Sequence, residues 1–512
     1  MKKIRVRFAP SPTGPLHLGG VRTALYNYLW AKQNDGDFLL RIEDTDRQRY
    51  VPGAEQYIMD ALLWAGITPD EGIVQGGNYG PYRQSDRKDI YHTFIQQLLA
   101  SDNAYIAFDT PEELDAMRER IKLEHTDVQG YNIHTRMYMQ NSLTLSAEEV
   151  AHRISKGDSY VIRIKIPKQE TVTFEDKIRG TVQFDTEQLD DKVMYKSDGM
   201  PTYHFANVVD DKMMGITHVI RGEEWLSSTP IHVLLYRFMG WDADMPEFAH
   251  LPLILKPDGH GKLSKRDGDR LGFPVFPLNW TNADTGEVSQ GYKERGFVPE
   301  AFTNMLAFLG WNPGTEQEIF SLQDLIAQFS IEKVSKHGAK FDYEKAKWFN
   351  QQHIKAMSPS ALLEMLSPDL LPIQKEKSES FLSNYIELFR ERVTYVQDFQ
   401  QVGHYMFEAP QSLDATFIEK KWKQESTAYL EDIIALLYET DTFESHHTEN
   451  LVKQYLTDHA IKIGEVFPLL RMTLTGEQGG PHIFDIMELL GKEESIQRIN
   501  NAIQRYSQAF LS

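Results

Sequence analysis

The fold of this chain is decided by one stretch near its beginning, Arg7-Phe-Ala-Pro-Ser-Pro-Thr-Gly-Pro-Leu-His-Leu-Gly-Gly20. An apolar, strand-like run leads into this Pro- and Gly-rich loop, and apolar residues recur at helical spacing after it. Such a loop places backbone N–H groups and the positive end of a helix beside the end of a strand. We therefore predict a phosphate-binding unit. In it, Gly19 and Gly20 leave the backbone open to a ligand, and His17 donates a hydrogen bond to a phosphate oxygen.

Outward from this stretch, the pattern predicts an α/β fold with an insertion. Asp37-Phe-Leu-Leu-Arg-Ile-Glu-Asp44 is typical of a buried strand parallel to the first, which favours a doubly wound parallel sheet, a Rossmann-like catalytic domain. The pattern of apolar and polar residues changes near residue 84. The alternating run Val161-Ile-Arg-Ile-Lys-Ile166 then indicates an inserted α+β subdomain. Beyond residue 295 the pattern is mostly helical. We predict the Rossmann-like part at 1–83 and 205–300, the insertion at 84–204, a connecting region at 301–357 and an all-α region at 358–512.

Composition narrows the class of protein. The chain has 512 residues and no cysteine, which excludes disulfides and cysteine-ligated zinc or iron–sulfur sites. It has no signal-like start and no apolar run of membrane-spanning length, so we expect a cytoplasmic protein without a membrane contact. The net charge of −20 weakens a nucleic-acid hypothesis, but residues 1–34 contain basic residues and no acid. Local cation density governs nucleic-acid binding, so the hypothesis stands.

A second motif, Lys262-Leu-Ser-Lys-Arg266, lies in a loop rich in Gly and charged residues. Two lysines three residues apart, with a small hydroxyl residue between them, can act as a mobile cation clamp on a triphosphate. Taken alone, the same residues are more typical of a solvated surface loop than of such a clamp.

Further motifs carry a resemblance to a known family. They are Arg41-Ile-Glu-Asp-Thr-Asp46, the stretch from Lys196 to Asp211, and Arg221-Gly-Glu-Glu-Trp225. With the first stretch as the HIGH signature and the lysine loop as the KMSKS loop, the chain resembles the glutamyl branch of the class I aminoacyl-tRNA synthetases in its bacterial form. The resemblance is dense up to about residue 355. The glutaminyl enzymes of the same subclass carry C-terminal β-barrels, whereas the pattern here is helical, so the resemblance implies a helical anticodon-binding region.

The resemblance also implies the reaction. Glutamate and ATP form glutamyl-adenylate, and the 3′-terminal adenosine of tRNA(Glu) then takes the glutamyl group. The expected partners are L-glutamate, tRNA(Glu) and ATP with Mg²⁺, for a protein that we expect to be monomeric. Zinc is not expected, because family members that carry it in the insertion use cysteines.

The family's functional positions map onto residues of this sequence. By the resemblance, the catalytic group consists of His17, Lys262 and Lys265. The positions that contact glutamate are Arg7, Ala9, Ser11, Glu43, Tyr203, Asn207 and Arg221. The positions that contact ATP are His17, Gly19, Gly20, Glu224, Trp225 and Lys265. No protein residue is expected to bind a metal.

Plainer interpretations of single residues are weighed against these roles. Arg7 and Arg221 are each compatible with an ordinary cation at a strand end, and Tyr203 and Trp225 with aromatic residues of a core. We favour the functional roles because the residues fall in several separate motifs of one family.

Two alternative functions are compatible with parts of this sequence, and one segment is unusual. A related class of enzyme glutamylates a modified base in tRNA, but it lacks the anticodon-binding part that this length suggests. An inactive RNA-binding paralogue is disfavoured by the intact His17, Lys262 and Lys265. The segment 272–292 is longer than the family leads us to expect, and it has no predicted role. The sequence leaves open whether tRNA(Gln) is also charged and which C-terminal residues contact the anticodon.

Overall fold

A computed structural model describes residues 2–123, 130–366 and 377–507 of the chain. Residues 124–129 of the predicted insertion, and residues 367–376 and 508–512 of the predicted helical region, lie outside the described residues. The chain divides into two units. The first is Met1–Glu294 with Pro299–Ala346, and the second is Arg295–Val298 with Lys347–Ser512.

The strands of the described residues are short. In chain order they are β1 (Arg5–Phe8), β2 (Asp37–Leu40), β3 (Ala104–Ala107), β4 (Val161–Ile164), β5 (Thr171–Asp176), β6 (Gly180–Asp185), β7 (Val193–Tyr195), β8 (His218–Gly222), β9 (Glu247–Leu251), β10 (Ile254–Leu255), β11 (Trp280–Thr281), β12 (Val288–Ser289) and β13 (Ala339–Lys340).

The α-helices occur in both units and make up most of the later chain. In chain order they are α1 (Leu18–Gln33), α2 (Ala54–Trp64), α3 (Lys88–Ala100), α4 (Pro111–Leu123), α5 (Ala147–Lys156), α6 (Tyr203–Met213), α7 (Thr229–Phe238), α8 (Lys265–Leu271), α9 (Tyr292–Arg295), α10 (Pro299–Ala307), α11 (Leu322–Gln328), α12 (Tyr343–Ala356), α13 (Pro359–Met365), α14 (Glu379–Phe389), α15 (Ala415–Lys421), α16 (Gln424–Glu439), α17 (Ser445–Asp458), α18 (Ile463–Thr475), α19 (Ile483–Leu490) and α20 (Lys492–Tyr506).

The core of the first unit is built on parallel strands. β1 pairs in parallel with β2, with Val6 opposite Phe38, and β8 pairs in parallel with β9. The two pairs are joined where the Thr217 N–H donates to the Arg5 carbonyl over 2.9 Å. Helix α1 covers β1, β2 and β8 and buries its apolar side chains on them. The predicted Rossmann-like fold is confirmed.

The inserted region has its own antiparallel sheet, in the order β3–β4–β7. The hairpin β5–β6, which the sequence analysis grouped with this insertion, instead extends the sheet of β8 and β9, because Asp176 of β5 lies opposite Phe248 of β9 in parallel. Tertiary pairing of this kind is not visible in an alternating pattern, since alternation reports only that one face is buried. The boundaries of the predicted parts stay predictions.

The unusual segment 272–292 forms a hairpin of β11 and β12 that is anchored to helix α2. The Tyr57 hydroxyl donates to the carbonyl of Leu278 over 2.5 Å and accepts from the N–H of the same residue over 3.1 Å. The ring of Trp280 packs edge-on against the Tyr57 ring, with the centroids 5.3 Å apart. A side chain at Gly291 would approach the Leu278 backbone to 2.2 Å, so this position requires glycine.

The described residues of the second unit form helices joined by loops, and no strand occurs among them. Helix α16 buries one apolar face, formed by Leu430, Ile433, Ile434 and Leu437 at helical spacing. The predicted all-α C-terminal region is therefore confirmed. Over the same described ranges of the whole chain, no helix combines the length and the apolar character needed to cross a bilayer.

Candidate active site

One cavity of about 930 Å³ opens where β1, β2 and β8 end and helix α1 begins. The carboxyl ends of parallel strands are the usual place for a ligand in such a sheet. The structure brings nearly all the predicted site residues to this cavity, with Lys265 absent from its lining. The residues that line it are Arg7, Ala9, Ser11, His17, Gly19, Gly20, Glu43, Tyr203, Asn207, Arg221, Glu224, Trp225 and Lys262.

His17 is the residue that precedes the first turn of α1, and its backbone is extended. Its ring Nδ1 accepts a hydrogen bond from the Gly19 N–H over 3.4 Å, which leaves the ring proton on Nε2. The Nε2 atom is buried and has no hydrogen-bond partner within the described part of the chain. An unpartnered buried donor at the start of a helix suits an anionic ligand such as phosphate.

The helix start is less open than the sequence analysis predicted. The Leu18 N–H donates to the Val275 carbonyl of the segment 272–292 over 3.0 Å, so it is not available to a ligand. A Cβ atom at Gly19 would meet nothing within 4 Å, which fits an open ligand face. A Cβ atom at Gly20 would lie 2.5 Å from the end of the Leu16 side chain, so a larger residue there would displace Leu16.

We expect the imidazole of His17 to stay neutral from about pH 5 upward. Burial, and secondarily the charge of Lys262, lower its pKa to about 4. The unfolded chain takes up this proton near the usual histidine pKa of about 6.5. The free energy of unfolding therefore declines as the pH falls from about 6.5 towards about 4. Titration of the assigned His17 ring by NMR measures the midpoint.

Two variants test the cause of this shift. Lys262→Ala removes the neighbouring charge and is expected to raise the pKa of His17. Lys256→Ala removes a lysine of the same loop that pairs with Asp267, and it should leave the midpoint unchanged. A His17 midpoint near 6.5 in the unmodified protein would contradict a buried neutral ring.

Arg7, at 3% exposure, is held from one side by acidic helix α6. Its Nε and Nη2 atoms donate to the two carboxylate oxygens of Asp211 over 3.0 and 3.1 Å, and Nη2 also lies 3.5 Å from the side-chain oxygen of Asn207. Within the described residues, the hydrogen bonds of the Arg7 side chain use Nε and Nη2, and none uses Nη1. Arg7 therefore lines the cavity as an oriented cation with donors left for a ligand.

Glu43 supplies the complementary charge. Its Oε1 atom accepts from Asn207 Nδ2 over 2.9 Å, from Arg41 Nη2 over 3.2 Å and from Gln84 Nε2 at 3.5 Å. All three hydrogen bonds use Oε1, so Oε2 is left for a ligand. Burial raises the pKa of Glu43, although Arg41 and Arg7 oppose that shift. A ligand ammonium group at Oε2 would favour the ionised form.

Arg221, near the end of β8, lies beside an aromatic pair. Its Nη1 atom donates to the Tyr203 hydroxyl over 3.2 Å, and the rings of Tyr203 and Trp225 pack with their centroids 4.3 Å apart. Because the Tyr203 oxygen accepts from Arg221, its own proton remains for a second acceptor. Arg221 is 4% exposed, which disfavours the plainer interpretation of this residue as an ordinary cation at a strand end.

The two lysines of the loop motif behave differently. Lys262 lines the cavity, and its Nζ atom donates to Glu224 over 2.8 Å. Burial alone would raise the pKa of Glu224, but Lys262 holds it below its usual value. Lys265 begins helix α8, and its Nζ atom lies 3.7 Å from Glu287 of the β11–β12 hairpin.

Sequence reasoning missed the residues that orient the site from behind. Arg41 is fully buried and donates to both Asp211 and Glu43. Gln84 lines the cavity, contacts Glu43 and donates to Asp210 over 2.8 Å. One signal in the sequence could have found Arg41. It is a charged residue in a motif that already supplies a predicted ligand contact, two positions before Glu43.

The fold and this site are those of a class I aminoacyl-tRNA synthetase. Residues 3–348 match the family described as tRNA synthetases class I (E and Q), catalytic domain. Residues 361–503 match the family described as anticodon binding domain. The chain belongs to this family of class I synthetases, and the resemblance inferred from its motifs is confirmed.

Similar proteins extend over the whole chain. One, named glutamate–tRNA ligase, from Flavobacterium johnsoniae, is 53% identical over 506 residues, which cover 98% of this chain and 99% of that protein. Another of the same name, from Porphyromonas gingivalis, is 52% identical over 504 residues, covering 98% of each. The crystal structure of a glutamate tRNA ligase from Elizabethkingia meningosepticum, in complex with its amino acid, is 51% identical with a TM-score of 0.93. It covers 99% of this chain and 100% of that chain.

Proposed function

We propose that this chain is a glutamate–tRNA ligase that joins L-glutamate to tRNA(Glu) in an ATP-dependent reaction. The observation that carries the proposal is that two side chains of opposite charge in one cavity each keep an atom that makes no hydrogen bond within the described residues. Nη1 of Arg7 is left to bind a carboxylate, and Oε2 of Glu43 is left to bind an ammonium group. Both lie in the cavity that His17 and the start of α1 also line. The full-length similarity to proteins named glutamate–tRNA ligase supports the same function.

The reaction has two steps, and neither needs a nucleophile from the protein. The α-carboxylate of glutamate attacks the α-phosphorus of ATP, which forms glutamyl-adenylate and releases pyrophosphate. A hydroxyl of the 3′-terminal adenosine of tRNA then attacks the carbonyl and releases AMP. Positioning and charge neutralisation supply the rate. His17 donates from Nε2 to a phosphate oxygen, and Lys262 and Lys265 neutralise the phosphates.

The glutamate contacts follow from the open atoms. Arg7 and the Tyr203 hydroxyl bind the side-chain carboxylate, and Glu43 binds the ammonium group. Arg221 supplies positive charge to the α-carboxylate. The further contact positions are Ala9, Ser11 and Asn207. Glutamine would offer Nη1 of Arg7 only a neutral amide group, and it would lose the charge-assisted hydrogen bond that the carboxylate of glutamate makes, so the site discriminates against it.

ATP lies along the start of α1. Gly19 leaves room for it, while Gly20, Glu224 and Trp225 complete its contacts. Mg²⁺ accompanies the phosphates. No group of three acidic or histidine side chains converges for a metal ion in the described residues, so ATP oxygens and water would supply its ligands. We propose that the enzyme acts as a monomer in the cytoplasm, with residues 358–512 contacting the anticodon.

Arg7→Ala is expected to raise KM for glutamate by roughly tenfold or more, because a charge-assisted hydrogen bond to the substrate is lost. KM for ATP should change little. The measurement is steady-state charging of purified tRNA(Glu) with labelled glutamate, with each substrate varied in turn. The unmodified chain must charge this tRNA, and failure to do so with all substrates present contradicts the proposed function.

Arg5→Ala is the matched control. Arg5 lies on the same strand, is also buried and pairs with Asp37 and Glu71, but it does not line the cavity. Both variants lose a buried ion pair, and only Arg7→Ala should affect glutamate selectively. A similar rise in KM for glutamate in both variants would remove Arg7 from the glutamate site.

A further inference from the structure

The guanidinium of Arg221 is held by an unusually complete set of protein acceptors. Arginine has five N–H donors, and the structure gives each of them a partner. The partners are His250 Nε2 for Nε (3.0 Å), the Tyr203 hydroxyl and His232 Nδ1 for Nη1 (3.2 and 3.3 Å), and Thr229 Oγ1 and the Trp225 carbonyl for Nη2 (2.8 and 3.3 Å).

The contact with His250 fixes the tautomer of that ring. Arginine N–H groups only donate, so His250 Nε2 must carry a lone pair and the ring proton must be on Nδ1. His250 Nδ1 lies 2.6 Å from the Asp176 carboxylate, which accepts that proton's hydrogen bond. Both side chains are fully buried, and neither lines the cavity.

The same logic extends to the other side of Arg221. His232 Nδ1 accepts from Arg221, so its proton is on Nε2, which lies 3.3 Å from His204 Nδ1. Burial lowers the pKa of His232 well below its usual value, with Arg221 as the second cause, and burial lowers the pKa of His204 to about 4. Both rings are therefore neutral. His232 accepts a hydrogen bond from Arg221, and His204 accepts one from His232.

We propose that Asp176 and His250 are positioning residues that hold the Arg221 guanidinium in place for the α-carboxylate of glutamate. The inference rests on the proposed glutamate site and adds a residue pair that does not contact substrate. Asp176 sets the tautomer of His250, and His250 presents a lone pair to Arg221. A buried carboxylate that orients an imidazole is an established device of active sites.

Asp176 is itself firmly placed. It lies at the end of β5, and its Oδ1 atom accepts from the N–H groups of Ile178 and Arg179 over 3.0 and 2.8 Å. The backbone N–H of His250 also donates to its Oδ2 atom over 3.1 Å. Burial alone would raise the pKa of Asp176, but His250 and these backbone groups hold it below its usual value. The hairpin β5–β6 thereby anchors the cation of the glutamate site.

The variant Asp176→Asn tests the proposal. The amide oxygen can keep the bonds from Ile178 and Arg179, and the amide NH₂ then faces His250 Nδ1 and the His250 backbone N–H, which loses its Oδ2 acceptor. The ring proton moves to Nε2, where it can donate to Thr229 Oγ1 3.1 Å away, so the Nε–H of Arg221 loses its acceptor. We expect KM for glutamate to rise roughly tenfold or more, with KM for ATP nearly unchanged. We also expect the ¹⁵N signals of the His250 ring, assigned by their loss in His250→Gln, to change from the Nδ1–H to the Nε2–H pattern.

Two further variants keep the test decisive. Asp185 lies on the same hairpin, and its exposed side chain caps the turn after β6. The variant Asp185→Asn should therefore leave both KM values unchanged. His250→Gln should itself raise KM for glutamate, and in that background Asp176→Asn should add little, because Asp176 acts through His250. If Asp176→Asn does not fold, the rise in His250→Gln carries the test.

The proposal is overturned if Asp176→Asn changes neither the tautomer nor KM for glutamate, or if the tautomer changes and KM does not. An unchanged KM for glutamate in a folded His250→Gln overturns it as well. Arg221→Ala separates this failure from that of the proposed function. If Arg221→Ala raises KM for glutamate while the Asp176 and His250 variants do not, only the positioning inference fails. If Arg221→Ala has no effect on glutamate, the glutamate-site assignment fails.

Discussion

Lys265→Ala is expected to lower glutamate- and tRNA-dependent pyrophosphate exchange roughly 100- to 1,000-fold, the usual effect of removing one group that stabilises charge in a transition state. In the structure Lys265 is 3.7 Å from Glu287, and both side chains are substantially exposed. Such an ion pair contributes only about 0–1 kcal/mol. The several negative charges of a bound triphosphate should therefore attract Lys265 away from Glu287. Affinity for tRNA, measured by filter binding, should stay nearly unchanged.

The neighbouring residues provide the controls. Arg270→Ala removes an exposed cation of the same helix, which pairs with Asp267 3.5 Å away, and exchange should stay near the unmodified rate. Glu287→Gln removes the partner that holds Lys265 in the structure, and exchange should be retained. Full exchange activity in Lys265→Ala would show that Lys262 suffices for the phosphates.

Asp211→Ala should lower the free energy of unfolding of the first unit by about 3–5 kcal/mol, because it leaves buried charges uncompensated. Asp211 accepts from Arg7 over 3.0 and 3.1 Å and from Arg41 over 2.8 Å. Burial alone would raise the pKa of Asp211, but the two guanidinium groups hold it below its usual value. Native-state hydrogen exchange at the amides of β1 and β8 measures the loss, since a chain of two units need not unfold in one step.

A surface ion pair gives the matched comparison. Glu119→Ala removes the partner of Lys122 on helix α4, where both side chains are about two-thirds exposed, and it should cost less than about 1 kcal/mol. Asp211→Asn keeps the shape and an acceptor oxygen, so its cost should fall between the two. A loss below about 1 kcal/mol in Asp211→Ala would mean that water or another acidic residue compensates Arg7 and Arg41.

The residues that line the cavity were predictable because the motifs that supply them are continuous in sequence. The strand, loop and helix around His17 form one continuous segment, in which Pro residues restrict the backbone and Gly residues permit conformations that other residues rarely adopt. Arg7, Glu43 and Arg221 occur near strand ends, and parallel strands bring such ends to one edge. Composition and periodicity likewise sufficed for the helical second unit, as the buried face of α16 illustrates.

The interactions that orient the site were not predictable. Asp176 lies in the range 84–204 that the sequence analysis assigned to the insertion, and only the pairing of β5 with β9 connects it to Arg221 through His250. The closure of the Leu18 N–H by Val275 arises from a segment more than two hundred residues away.

Sequence alone thus determined which chemical groups meet at the cavity and the class of fold that presents them. Tertiary structure decided which atoms of those groups remain open: Nη1 of Arg7, Oε2 of Glu43 and Nε2 of His17. The physical reason is that a buried polar group must find a partner, and which partner it finds depends on residues distant in the chain. Local patterning encodes strands, turns and helices, whereas the long-range contacts formed on packing determine the remaining hydrogen-bonding capacity.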